Sequence, residues 1–232
     1  NAILGQGQLS LAKYLLIVAE DDNPGLDIHD VGAVLRHLLE RIDWQRDLHF
    51  QTSTTIDTLD YSGDGLNRGS KVVMAAAGPP QRQLATELPS QITLPEGWSR
   101  PLLAQPGVLV LQGPGSSQAR GESDPALEAL CRFWDQAGMP DGLPLVVVVD
   151  DSPFCATSLD NLLWVTFTRS NPSCDLYGVG ARRQGQHWGC RGPLVIDARR
   201  KPFHAPPLES DPAVVRRVEG LAAAGGPLHG LF

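Results

Sequence analysis

The sequence predicts an α/β (α+β) fold, a mixed β-sheet flanked by helices and built from two duplicated strand-helix-strand units. Three observations predict it. Apolar runs that end on acids occur twice, Leu15-Leu16-Ile17-Val18 before Glu20-Asp21-Asp22 and Leu145-Val146-Val147-Val148-Val149 before Asp150-Asp151. A turn and a helical pattern follow each, from Asp30 to Arg41 and from Ser158 to Arg169. Arg41 and Asp47 then recur as Arg169 and Asp175, both 128 positions on, so the step from helix end to next strand is kept without a gap. Two copies make a pseudo-repeat inside one globule, because a solenoid needs about three repeats to bury its faces. The repeat sets Asp21 and Asp22 over Asp150 and Asp151.

The first unit, 1–106, opens with a strand over Tyr14 to Val18. Val31, Val34, Leu35, Leu38 and Leu39 then fall at helical spacing and form one apolar stripe. Strands follow at Leu48 to Thr52 and at Lys71 to Ala76, on either side of the turn residues Gly63, Asp64 and Gly65. Pro79, Pro80, Pro89, Pro95, Pro101 and Pro106 forbid a long helix or central strand and predict an extended surface connector over 78–106. In the second unit, 107–232, Val108-Leu109-Val110-Leu111 reads as a strand buried on both faces. A Gly/Ser loop leads to a helix from Asp124 to Ala137, with Asp124-Pro125 as cap and first turn. The repeated unit supplies strand 145–149, a turn with Pro153, helix 158–169 and strands 175–179 and 194–198. A helix starting at Asp211-Pro212 closes the chain.

The 232 residues carry a net charge of −7, with 42% hydrophobic and 19% charged side chains, as in an ordinary soluble protein. Nucleic acid is not an expected partner, since phosphate neutralisation needs clustered Lys and Arg. The one dense basic run, Arg199-Arg200-Lys201, reads as a solvated strand end. No apolar stretch approaches the roughly 18 residues of a membrane span, and no signal peptide is recognised. Four cysteines without C-x-x-C spacing fit reduced thiols in a cytoplasmic protein. The chain opens on Asn1-Ala2 rather than Met and reads as a piece of a longer polypeptide.

No catalytic constellation emerges from the residues alone. Gly113-Pro114-Gly115-Ser116-Ser117 follows a strand but lacks the lysine and the third glycine of phosphate-binding loops, and reads as a flexible loop. Glu20-Asp21-Asp22 and Asp150-Asp151 stand where α/β proteins place ligands, yet acids also cap turns there. His187 and Cys190 are too few for zinc, and Cys155 beside Ser152 has no identifiable His partner. Catalytic residues and metal ligands are therefore assigned to none of the 232 residues.

The string Gly5-Gln6-Gly7-Gln8-Leu9-Ser10-Leu11-Ala12-Lys13-Tyr14-Leu15, then Thr55-Ile56-Asp57-Thr58-Leu59-Asp60-Tyr61 and Gly69-Ser70-Lys71, resembles the C-terminal portion of UbiD-family decarboxylases over about residues 4–77. The second unit resembles the same family end more loosely, through Leu194 to Ala198 and the Asp211-Pro212 helix. The family includes 3-polyprenyl-4-hydroxybenzoate carboxy-lyase of ubiquinone biosynthesis. The resemblance implies reversible non-oxidative decarboxylation of aromatic or α,β-unsaturated acids with prenylated FMN. It places the catalytic Arg and Glu, and the divalent-metal ligands, in an N-terminal flavin-binding domain outside these residues. This chain then supplies a substrate-pocket and oligomerisation domain, inactive alone. Gln8, Leu9, Ser10 and Leu11 are implied on one side of the pocket, and Thr54, Thr55 and Ile56 on the other. Where relatives carry a phosphate-contacting Lys, this chain has Gln6, so no cofactor-binding residue is assigned. The alternative reading is a stand-alone regulatory or binding module with two related halves.

Overall fold

A computed structural model of the chain describes residues 2–206 and 209–231; Asn1, on which the sequence opens, lies outside them. Tyr14–Val18 (β1) leads through helix Val31–Arg41 (α1) to Leu48–Thr54 (β2) and Gly69–Ala76 (β3). These strands form a sheet in the order β1-β3-β2, with β3 parallel to β1 and antiparallel to β2. Ser99–Gln105 (β4) and Val108–Gln112 (β5) begin a second sheet, followed by helix Pro125–Ala137 (α2) and Leu145–Val149 (β6). Three helices come next, Ser152–Thr157 (α3), Leu159–Arg169 (α4) and Pro172–Asp175 (α5). Leu176–Gly178 (β7), a hairpin of Ala181–Gln184 (β8) and His187–Cys190 (β9), Leu194–Asp197 (β10) and helix Pro212–Ala222 (α6) complete the order. The second sheet runs β4-β5-β6-β10-β7, parallel at its centre and antiparallel at both edges. The fold is mixed α+β, with strands divided between two mixed sheets and a hairpin instead of gathered into one.

The continuous apolar runs are buried on both faces, and strand alternation sorts them. Val108, Val110, Leu145, Val147 and Val149 join one core with Leu38 and Leu39 of α1 and Val72 and Met74 of β3. Leu109, Leu111, Val146 and Val148 face the other way, onto Leu127, Leu130 and Trp134 of α2. The first core thus lies between the sheets and ties the two units together. Trp44 adds a polar tie, its indole N–H donating to the Pro144 carbonyl at 2.8 Å.

The two units share an arrangement. In each, the third strand lies between the other two, parallel to the first and antiparallel to the second. Asp30 caps α1 through the Ala33 N–H, and Ser158 caps α4 through the Asn161 N–H. Asp47 accepts the Asp43 N–H at 2.9 Å, and Asp175 accepts the Asn171 N–H at 2.6 Å. The strand register corrects one expected match. Leu16 pairs with Met74 and Val147 with Ile196, and those partners also face Leu48 and Leu176. Matched rung for rung, Leu16 falls with Val147, and counting on from there pairs Glu20, not Asp22, with Asp151.

Other expectations also need correction. The last residues of the Pro-rich connector form β4, an edge strand in which Pro101 is tolerated because it falls at an irregular step of the ladder that does not call on its missing N–H. Pro153 starts a helix instead of a turn, since its fixed φ suits the first helical turn, and Asp151 caps that helix through the Phe154 N–H. The basic run is not a solvated strand end. Arg199 and Lys201 are 0% and 3% exposed, and only Arg200 between them faces solvent.

Carboxylates both near and distant in sequence make that burial tolerable. Arg199 forks onto Asp197, Nε to Oδ1 and Nη2 to Oδ2 at 2.8 Å each, and its Nη2 also reaches Asp124 at 2.7 Å. Lys201 Nζ lies 3.2 Å from Asp175 and donates to the Asp197 carbonyl at 2.8 Å. Asp124 is at the same time the cap of α2, accepting the Ala126 N–H. Taking one member from a buried charge set strands the rest, at a cost of about 3–5 kcal/mol. Asp197→Asn should therefore lower the urea unfolding free energy by about that amount. A loss below about 1 kcal/mol, the scale of an exposed pair, would contradict this reading.

Candidate functional site

The two segments expected to line a pocket stand at the same end of the first sheet, on either side of β3. Gly7–Leu11 forms a 3-10 turn directly ahead of β1, and Ser10 Oγ donates to the Gly7 carbonyl at 2.7 Å. Because β1 and β3 start at the end of the sheet where the antiparallel β2 finishes, Thr54 and Thr55 arrive at that same end. Lys71 of β3 has Gln51 as its neighbour in β2, and its Nζ donates to the Ser10 carbonyl. Gln8, Leu9 and Thr55 are exposed, while Ser10, Leu11 and Thr54 are partly covered. Leu9, at 56% exposure, is not a core residue. Ile56 is enclosed by its own loop, where a Cβ on Gly63 or Gly69 would stand 2.4 or 2.8 Å from its Cδ1.

Lys71 is the functional group that sequence reasoning passed over, although it sits in the Gly69-Ser70-Lys71 motif. It is 3% exposed and, among the described residues, has a neutral carbonyl and no carboxylate as its partner. Desolvation holds its ammonium below the usual lysine range. Lys13 differs, being paired with Asp60 at 2.6 Å, though burial lowers its pKa too.

Beside this sheet end the two units meet in a polar seam. Tyr14 and Ser170 share a hydrogen bond of 2.6 Å, Asn171 Oδ1 accepts the Ser70 N–H at 3.1 Å, and Asn171 Nδ2 donates to Asp64 at 3.1 Å. Next to the seam lies a cleft of about 1050 Å³, between the loop 57–62 of the first unit and α3, α4 and residues 200–206 of the second. Tyr61, Phe154, Trp164 and Phe167 line it, together with Arg169, Arg200 and His204.

The acidic strand ends have structural work. Asp22 accepts the Gly78 N–H at 2.7 Å, and Asp150 pairs with Arg169 at 3.0 Å and accepts the Arg200 N–H. Among the described residues no three His, Cys, Asp or Glu side chains gather as metal ligands. The Gly113–Ser117 loop does not fit a flavin phosphate. It is pinned, not flexible, because Arg199 donates to the Pro114 carbonyl, and the Asp124 carboxylate that accepts from Ser116 would repel a phosphate. Burial pushes Cys155 up to about 11 and Cys190 up to about 12, far from a reactive thiolate. The Ser152 hydroxyl is spent on the Arg100 carbonyl at 2.7 Å.

Residues 1–76 match the model of the 3-octaprenyl-4-hydroxybenzoate carboxy-lyase C-terminal domain. The chain is 33% identical over 218 residues to an uncharacterized protein of Chlamydia trachomatis serovar D, covering 91% of this chain and 34% of that protein. It is 32% identical over 226 residues to a Chlamydia pneumoniae protein whose name makes it a subunit of a 4-hydroxybenzoate decarboxylase, covering 93% of this chain and 34% of that protein. The chain spans about a third of the length of these relatives, and the similarity runs through both of its units.

His204 offers a test of the electrostatics. Burial and the positive field of Lys201, Arg169, Arg120 and Lys13 push its imidazole down from an ordinary 6.5 to about 4. The folded chain keeps it neutral where the unfolded chain would protonate it. Its contribution to stability is therefore present above pH 6.5 and lost as pH falls from 6.5 toward 4. Unfolding curves of the chain and of His204→Gln should run parallel above pH 7 and converge on acidification, as the unsubstituted chain loses stability faster.

Proposed function

Because residues 1–76 match the C-terminal domain model of the UbiD carboxy-lyase family, we propose that the chain shapes the substrate side of a non-oxidative decarboxylase acting on aromatic or α,β-unsaturated acids. The observation that supports this reading is that Ser10 and Leu11, just ahead of β1, and Thr54 and Thr55, at the end of β2, stand at the same end of the sheet, where the buried Lys71 donates to the Ser10 carbonyl, all within the family-matched residues. Small polar side chains at 10 and 55 leave room for a ligand ring. A lysine held in low dielectric with no carboxylate of its own complements the carboxylate of an acid substrate.

The reaction in the longer protein uses prenylated FMN and a divalent metal, both held by its own N-terminal flavin-binding domain. The cofactor supplies the electron-sink chemistry for carbon dioxide loss. This chain contributes the pocket wall, excludes water with Leu9 and Leu11, and contributes to oligomer contacts. On this reading it is not catalytic alone. The relatives' greater length, and a similarity that includes both units, support this over a stand-alone binding module.

The test replaces Ser10 or Thr55 with Phe in the full-length protein loaded with prenylated FMN, across a panel of acids. If they line the pocket, kcat/KM ratios between acids should shift from several-fold to about a hundredfold, with flavin loading unchanged. A uniform loss across the panel, with stability lowered by about 1–3 kcal/mol, is the signature of overpacking and would reject the pocket role.

A further inference from the structure

We propose that the cleft between the two units binds an organic cation, an alkylated ammonium group. The inference goes beyond the decarboxylase reading and stands on the cleft alone, whose lining includes none of residues 8–11 or 54–56. Its failure would leave that reading untouched.

The walls are aromatic and open. Tyr61 reaches in from the first unit, Phe154 and Trp164 from the second, and they remain 59%, 44% and 56% exposed. Large rings left uncovered in one cavity gain by burial against a ligand, and the negative potential over their faces selects a cation. Trp164 already shows this preference. Arg169 lies over its ring, 5.5 Å from the centroid, and the ring keeps open surface beyond that contact.

Charge points to the same ligand. Asp57, Asp60, Asp150 and Asp151 line the cleft, against the guanidiniums of Arg169 and Arg200. His204, with its imidazole pushed down to about 4, adds no charge at neutral pH. Two of the carboxylates are paired, Asp60 with Lys13 and Asp150 with Arg169. Asp57 and Asp151 have no cationic partner among the described residues. Each uses Oδ1 on a backbone N–H, Asp57 on Leu59 at 2.8 Å and Asp151 on Phe154 at 3.0 Å, and each has an Oδ2 that accepts from no donor among the described residues. They belong to different units, Asp57 to the loop 57–62 and Asp151 to the start of α3. The lysine behind this end, Lys201, is matched by Asp175, so it does not cancel them. Arg200, exposed and without a carboxylate of its own among the described residues, balances one of the two at most.

A bare inorganic cation would leave the rings uncovered, and an uncharged ligand would leave the carboxylates unmet. An alkylated ammonium presents methyl groups to the rings and its charge to both, without needing an acceptor in fixed geometry.

Isothermal titration calorimetry of the chain with choline chloride tests this. Neopentyl carbinol, in which carbon replaces the nitrogen, and ammonium chloride serve as probes lacking the charge or the methyl groups. Choline should bind one per chain with Kd below about 1 mM, and both controls at least about tenfold more weakly. Trp164→Leu keeps an apolar side chain and removes the ring face, and should weaken choline binding about tenfold. Joint replacement Asp57→Asn and Asp151→Asn keeps both backbone hydrogen bonds, because an amide oxygen accepts them as a carboxylate does, and should weaken it by a similar factor. Absence of saturable choline binding overturns the proposal. So does neopentyl carbinol binding as tightly as choline, or unchanged affinity in either variant.

Discussion

Five buried charges set the frame of this molecule. Arg199 and Lys201, on the segment after β10, are surrounded by Asp124, Asp175 and Asp197, which come from three separate elements. Such a set is not a strong source of net stability, because desolvation offsets most of the Coulomb gain. Its effect is on position, since each member is costly to leave unmatched. Asp124 fixes the start of α2, and Asp175 fixes the turn from α4 into β7 through the Asn171 N–H. Asn171 in turn reaches across to Ser70 of β3 and to Asp64. The charge set in the second unit thus governs the sheet end of the first.

That coupling links the fold to the proposed function. A pocket wall must hold its shape to discriminate between acids, and Ser10 and Thr55 lie outside the strands, Ser10 in a short 3-10 turn and Thr55 on exposed chain after β2. Their order derives from β3, which Lys71 joins to the Ser10 carbonyl and which Gly69 joins to Thr54. Ser70, between those two residues, is the one that Asn171 grips. The cleft depends on the same seam, since Tyr61 and Trp164 keep their separation only while the units stay in register.

Strands and helices were legible where apolar periodicity and capping residues agreed. The runs at 108–111 and 145–149 read as doubly buried strands because every position is apolar, and Asp30, Asp124 and Ser158 marked helix starts through local chemistry alone. The β4 strand and α3 were missed because proline was read as a breaker at positions, an edge and a first turn, where it is compatible. The burial of Arg199 and Lys201 was not legible, for although Asp197 is near in sequence their other partners lie at 124 and 175, and a basic run looks the same in sequence whether paired or solvated. Of the candidate site, the segments 8–11 and 54–56 came from the family motif string, and the strand order sets them at one end of the first sheet. The cleft was invisible, since its lining comes from four separate stretches of chain and its aromatic residues form no motif.

Native-state hydrogen exchange of the intact chain measures directly whether the buried charge set joins the units into one body. If it does, the slowest amides of β3 in the first unit and of β6 and β10 in the second should exchange with the same opening free energy, equal to that of global unfolding. They should also fall together when Asp197 is replaced by Asn. Opening of β1 and β3 at a distinctly lower free energy, with β6 and β10 still protected, would show that the first unit unfolds on its own and contradict the account.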